Sequence, residues 1–129
     1  MLMTSTSTSL LLCAATRWEI DPLVSRWNLR RTAPSHYEGS VRGRPIALIK
    51  TGMGGANVAE ALRGVAGSVP AMTLSIGFAG ALQPKMASGD LVLDVRGVAI
   101  EIPQAAREIA ARQGTALHFG TIAHSDVLL

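Results

Sequence analysis

Apolar and polar positions along this chain fall into blocks whose period switches repeatedly between that of a strand and that of a helix. Leu10 to Ala15 is an uninterrupted apolar run of a length suited to a strand buried on both faces. Thr16 through Trp27 follows with Ile20, Leu23, Val24 and Trp27 at helical spacing, and Pro22 is expected only near the first turn of that helix. His36 to Val41 and Pro45 to Thr51 predict two strands joined at Arg42-Gly43-Arg44, a hairpin turn. Gly52-Met53-Gly54-Gly55 then opens a helix from Asn57 to Val65, with Val58, Ala61, Leu62 and Val65 on one face. Ala71 to Ile76 and Gly89 to Val95 read as further strands. Pro103 to Gln113 reads as a helix closed by Gly114, and Ala116 to Ala123 as a last strand. No repeat of fixed period emerges. Strands and helices alternate, which predicts an α/β fold.

Composition supports that reading and narrows the class. At 129 residues the chain is the size of one domain, and 48% apolar content is ample for a core. Aromatic residues make up only 4%, so core volume must come from Leu, Val, Ile, Ala and Met. The net charge of +3 comes largely from Arg17, Arg26, Arg30, Arg31, Arg42 and Arg44 in the N-terminal third. With no aromatic residues interleaved for stacking, a solvated basic surface is expected and a nucleic-acid partner is not. The single cysteine, Cys13, excludes an intramolecular disulfide and any cysteine-based zinc cluster, and fits a reducing cytoplasm. Leu10-Leu11-Leu12-Cys13 superficially resembles the end of a lipoprotein signal, but Met1 to Ser9 carries no Lys or Arg and the apolar run is too short. Residues 1–9, with their Ser/Thr repeat, are expected to be a disordered leader, and no membrane association is expected.

Candidate chemistry gathers at the turns that follow the strands. Ser75-Ile76-Gly77-Phe78-Ala79-Gly80-Ala81-Leu82 reads as a strand breaking into a small-residue turn against which a flat ligand, a nucleobase or sugar, could lie. Gly52-x-Gly54-Gly55 sits between a strand and a helix, where its amides could hold an anion; a tight turn needing glycine is the plainer alternative. It lacks the third glycine of a dinucleotide fingerprint and the Gly-Lys-Ser/Thr of a P-loop. Glu19 falls at the end of the first strand, where a carboxylate can act as general base on water, or simply favour the positive end of the helix dipole. His118, His124 and Asp126 do not make a metal cluster, because only His124 and Asp126 share tight spacing, and structural or exposed histidines are expected. No metal or other cofactor is expected. There is no G-x-S-x-G elbow for a serine hydrolase.

Five blocks in order carry a family resemblance: Ala14-Ala15-Thr16-Arg17-Trp18-Glu19-Ile20, Thr51-Gly52-Met53-Gly54-Gly55-Ala56-Asn57, Gly77-Phe78-Ala79-Gly80-Ala81-Leu82, Gly89-Asp90-Leu91-Val92 and Ile122-Ala123-His124-Ser125-Asp126-Val127. In them the chain resembles the first half of the nucleoside phosphorylase and nucleosidase superfamily, which includes methylthioadenosine/adenosylhomocysteine nucleosidase, futalosine hydrolase and the hopanoid-associated phosphorylases. The resemblance implies a central mixed β-sheet flanked by helices over residues 10–129, and cleavage of a purine N-ribosidic bond. By it, Glu19 matches the water-activating glutamate of the nucleosidases. Gly54, Phe78, Ala79 and Gly80 match substrate-contacting turns, and Leu128 and Leu129 fall where the family covers the base.

Two departures refine this expectation. The family's phosphorylases place an arginine and a Ser/Thr where this chain has Ser75 and Phe78, so a phosphate dianion lacks its charge-assisted partners and hydrolysis is favoured over phosphorolysis. The family's second half, with the glutamate that grips the ribose and the aspartate that protonates the base, has no counterpart after Leu129. A chain truncated in this way is expected to be inactive alone, and apolar edges left unpaired are expected to favour a homo-oligomer. The expected function is therefore that of a nucleosidase-like domain acting on a purine nucleoside; a catalytically dead nucleoside-binding or scaffolding subunit is the alternative.

Overall fold

The computed structural model describes residues 8–53, 57, 60–62 and 70–123. The chain divides into two compact units, Met1–Ala79 and Gly80–Leu129. The first contains β1 (Leu10–Ala14), α1 (Arg17–Arg26), β2 (Arg30–Ala33), β3 (His36–Val41), β4 (Arg44–Lys50) and β5 (Met72–Ser75); Asn57 and residues 60–62 are helical as well. The second contains β6 (Leu91–Leu93), α2 (Glu101–Gln113) and β7 (Leu117–Phe119).

In the first unit the five strands form one mixed sheet in the order β2-β3-β4-β1-β5. β1 is central and parallel to both β4 and β5, with Leu12 opposite Leu48 on one side and Leu74 on the other. β2, β3 and β4 are an antiparallel meander. The unbroken apolar run of β1 is what a central strand needs, because alternate residues feed opposite faces. Leu12 and Ala14 join Ile46, Leu48, Ile20 and Leu29 in a core that α1 covers with Leu23, Val24 and Trp27. Leu11 and Cys13 join Ile49 on the other face, where Ala61 of the helical residues packs. Ile20 and Leu48 are fully buried, each contributing about 1.5–3 kcal/mol of apolar transfer free energy.

Several predicted elements differ from those observed. Pro22 lies in the second turn of α1, beyond the first-turn position expected for it, so the helix forgoes one backbone donor in its interior. The helix stops at Trp27, and Asn28 turns the chain with a positive φ of 50°. β2 has no counterpart in the predicted elements, because its four exposed residues show no apolar alternation; it forms as an edge strand templated by β3. The β3–β4 hairpin turns on Arg42 and Gly43, both at positive φ as a tight two-residue hairpin requires.

In the second unit β6 and β7 are parallel and only three residues each, shorter than the predicted Gly89–Val95 and Ala116–Ala123. The Asp94 carboxylate accepts from the Ile122 amide at 3.1 Å and from Arg96, fixing a turn where the ladder would otherwise continue. α2 begins at Glu101, two residues before the predicted Pro103, and ends as predicted on Gly114 in the left-handed conformation. Among the described residues, no helix is long and apolar enough to cross a membrane.

Candidate active site

The parallel trio β4, β1 and β5 presents its C-terminal ends together, the edge of an open α/β sheet at which ligands collect. Backbone bonds carry the pairing past the strands: Thr51 N donates to Ala14 O at 2.8 Å, Gly52 N to Ala15 O at 3.1 Å and Ile76 N to Cys13 O at 2.9 Å. The three connecting loops are thus joined side by side, with the β1–α1 turn in the middle.

Glu19 stands in the first turn of α1, three residues after the N-cap Thr16. Its Oε1 accepts from the Thr16 amide at 2.9 Å and from Thr16 Oγ1 at 3.0 Å. That is the glutamate half of a capping box. Its Oε2 reaches across to β5's outgoing loop and accepts from the Phe78 amide at 2.8 Å. The helix-start role and the position at the strand ends, which the sequence left as alternatives, are therefore both occupied by the same carboxylate. Partial burial pushes the Glu19 carboxyl up, but donors from the Phe78 and Thr16 amides, the Thr16 hydroxyl and the Ala15 backbone outweigh it. The net result lies below the ordinary glutamate value. Glu19 is consequently an anion at neutral pH, and the stability its bonds contribute is present above the ordinary value and lost as pH falls through the depressed one.

Gly77 makes this reach possible. A Cβ built there would run into the Glu19 carboxylate, so the bare backbone is what admits the side chain beside the strand extension. Phe78 follows with its ring 82% exposed, and Ala79 is exposed too. Gly80 opens the second unit, with no atom within contact distance of a Cβ placed on it. The structure thus brings Glu19 and Phe78 into direct contact. Gly54, Leu128 and Leu129, together with His124 and Asp126, lie outside the described residues.

Thr16 and Gly77 are the positioning groups that reading the sequence for catalytic residues missed. The Thr16-x-x-Glu19 spacing carried the signal for the first, being a capping-box pattern. Nothing local marks the second, since Gly77 matters only because a residue 58 positions earlier in the chain points at it.

The remaining candidates take structural parts. His118 Nε2 lies 2.8 Å from Asp90 Oδ2, and Asp90 also accepts from the Ala87 amide; these bonds hold its carboxyl below the usual range. Among the described residues no group of three or more His, Cys, Asp or Glu could hold a metal ion. Cys13 is buried, and burial pushes its thiol up, away from the reactive thiolate. Arg17 is paired with Asp21 at 3.0 Å, and Arg31 donates to the carbonyls of Ala33 and Pro34.

Comparison with known proteins agrees with the topology. The family model described as the phosphorylase superfamily matches residues 11–96. The chain belongs to that superfamily. None of the curated proteins matches the sequence. Among solved structures, a Francisella philomiragia protein assigned as a 5′-methylthioadenosine/S-adenosylhomocysteine nucleosidase aligns with a TM-score of 0.69 at 19% identity, over 92% of this chain and 64% of its own. A variant of the Helicobacter pylori nucleosidase with 5′-methylthioadenosine in its active site aligns at 0.66 and 16% identity, over 94% and 68%. The same enzyme bound to a pyrrolopyrimidine-bearing pyrrolidinol aligns at 0.67 and 16%, over 95% and 68%. At these identities the likeness defines the fold, and the chain spans 64% of the length of the first neighbour.

Proposed function

We propose that this chain, inactive as a single copy, assembles as a homo-oligomer into a nucleosidase-type enzyme that cleaves the N-ribosidic bond of a purine nucleoside with water, and that Glu19 is the base that activates the water. The observation that carries this reading is the ionised Glu19 carboxylate held at the C-terminal ends of the parallel strands by two loops at once. Glycosyl cleavage proceeds through an oxocarbenium-like state, and a fixed carboxylate near the sugar can both deprotonate the attacking water and oppose the developing positive charge. The nucleosides named in the solved neighbours suggest a 5′-substituted adenosine as substrate. In this reading Gly54, Phe78, Ala79, Gly80, Leu128 and Leu129 are proposed as substrate-contacting residues. Hydrolysis is preferred to phosphorolysis because Ser75 and Phe78 occupy the positions at which the family's phosphorylases carry an arginine and a hydroxyl. In this reading the homo-oligomer acts in the cytoplasm.

The test is a binding screen followed by product analysis. Methylthioadenosine, adenosylhomocysteine and adenosine are compared with free adenine, a single-stranded oligonucleotide and buffer by thermal shift, and sugar products are separated by chromatography with and without phosphate. The reading predicts stabilisation by a nucleoside, weakened by Gly80→Val, with the free sugar (methylthioribose, ribosylhomocysteine or ribose, according to the nucleoside) as product and no phosphate dependence. The corresponding sugar 1-phosphate as product would overturn hydrolysis, and stabilisation by the oligonucleotide alone would overturn the substrate class.

A further inference from the structure

We propose that Oε2 is the working oxygen of Glu19, and that Thr16 and Gly77 are positioning residues that keep this atom, rather than Oε1, free to take a proton. The proposal rests on the reading of Glu19 as the water-activating base. Each carboxylate oxygen has about two lone-pair positions for hydrogen bonds. On Oε1 both are filled, by the Thr16 amide at 2.9 Å and Thr16 Oγ1 at 3.0 Å. On Oε2, among the described residues, the one hydrogen bond is from the Phe78 amide at 2.8 Å; the Ala15 backbone, the weakest of the groups that lower the carboxyl, makes no bond of comparable length to either oxygen. A second donor, water or a sugar hydroxyl, is therefore accepted at Oε2 without displacing a protein bond.

The two ends of the clamp act differently. Thr16 belongs to the helix cap, so its amide and hydroxyl hold Oε1 wherever α1 begins. Gly77 acts by having no side chain: a methyl group there would meet Oε2 and push it off the Phe78 amide. The Phe78 contribution comes from its backbone N–H, so the aromatic ring that replaces the family's hydroxyl leaves this bond in place. In the proposed step water gives a proton to Oε2 as its oxygen bonds to the anomeric carbon. The bond from that carbon to the base nitrogen breaks, and its electron pair leaves with the base. Solvent protonates the departing nitrogen, and Glu19 returns its proton to solvent.

The experiment is a pH titration of the ¹³C,¹⁵N-labelled chain by NMR, following the Glu19 carboxyl carbon together with the Thr16 and Phe78 amides. The proposal predicts that the Phe78 amide follows the Glu19 midpoint with a larger excursion than the Thr16 amide, because the proton enters on Oε2. A larger excursion at Thr16 would place the proton on Oε1 and overturn it. Thr16→Val should move the Glu19 midpoint upward toward the ordinary value, and Thr16→Ser should restore it. Gly77→Ala should speed exchange of the Phe78 amide roughly tenfold, the loss of about one hydrogen bond. Unchanged titration and exchange in folded Thr16→Val and Gly77→Ala chains would also overturn the proposal, and the wild-type excursions decide the matter even if a variant does not fold. Adenine release is measured in the same samples: if the titration behaves as predicted while Glu19→Gln retains release, the base role fails and the placement of the clamp does not.

Discussion

Met1–Ala79 and Gly80–Leu129 are stabilised by different physics. In the first unit, β1 and β4 bury Leu11, Leu12, Ile46, Leu48 and Ile49, and α1 closes over them with Ile20. In the second, Ala110 is the one buried apolar residue among those described, while Leu82, Leu91, Ile100, Ile102 and Ile109 are exposed. What orders the second unit is a set of polar clips: Asp90 between the Ala87 amide and His118, Asp94 between Arg96 and the Ile122 amide, and the Arg107 guanidinium 4.5 Å from the Phe119 ring centroid. Burial gives a broad, cooperative contribution, whereas exposed ion pairs and single hydrogen bonds contribute little each and depend on pH and salt. The candidate base, Glu19, belongs to the unit with the buried core.

The largest expected effect is in the first core. Leu48→Ala, at a fully buried central position, should destabilise the chain by about 2–5 kcal/mol in urea unfolding followed by tryptophan fluorescence, through lost burial and an uncollapsed cavity. A loss under about 1 kcal/mol would show that the sheet core is not the stabilising element. In contrast, Ile109→Ser on α2 should change the unfolding free energy by no more than about 0.5 kcal/mol, since the side chain is nearly half exposed. A large loss there would mean that α2 has a packed face and that the contrast is wrong.

The smallest effect concerns a clip. Hydrogen bonding to the Arg96 side chain, and then to the Ile122 amide, lowers the Asp94 carboxyl to about 2. Because its folded value is depressed, its contribution is present above the ordinary aspartate range and lost as pH falls through about 2. The Ile122 amide resonance should therefore stay fixed at mildly acidic pH and titrate only near that value. A midpoint at the ordinary aspartate value would show that the clip is not formed.

The same contrast explains what could be read from the sequence. β1, α1, β3, β4 and β5 were legible because burial imposes its period on the residues themselves, as in Leu10 to Ala14 and in Ile20, Leu23 and Val24. β2 was not, because an exposed edge strand owes its conformation to its neighbour. The ends of β6 and β7 were overrun because they are set by Asp94, whose bond to Ile122 joins residues 28 positions apart. Glu19 was legible from its motif and its place after β1. The Phe78 amide and the bare Gly77 that meet it come from residues nearly sixty positions downstream, and only the parallel pairing of β1 with β5 brings them there.

The central claim is that Glu19 is the base in water-dependent cleavage, and its most direct measurement is the rate of adenine release from methylthioadenosine by the wild-type chain and by Glu19→Gln. Circular dichroism on both chains establishes that the sheet is intact. A positioned general base contributes about 10² to 10⁴ in rate, so release should fall by that factor in Glu19→Gln. Equal rates in the two chains would contradict the account.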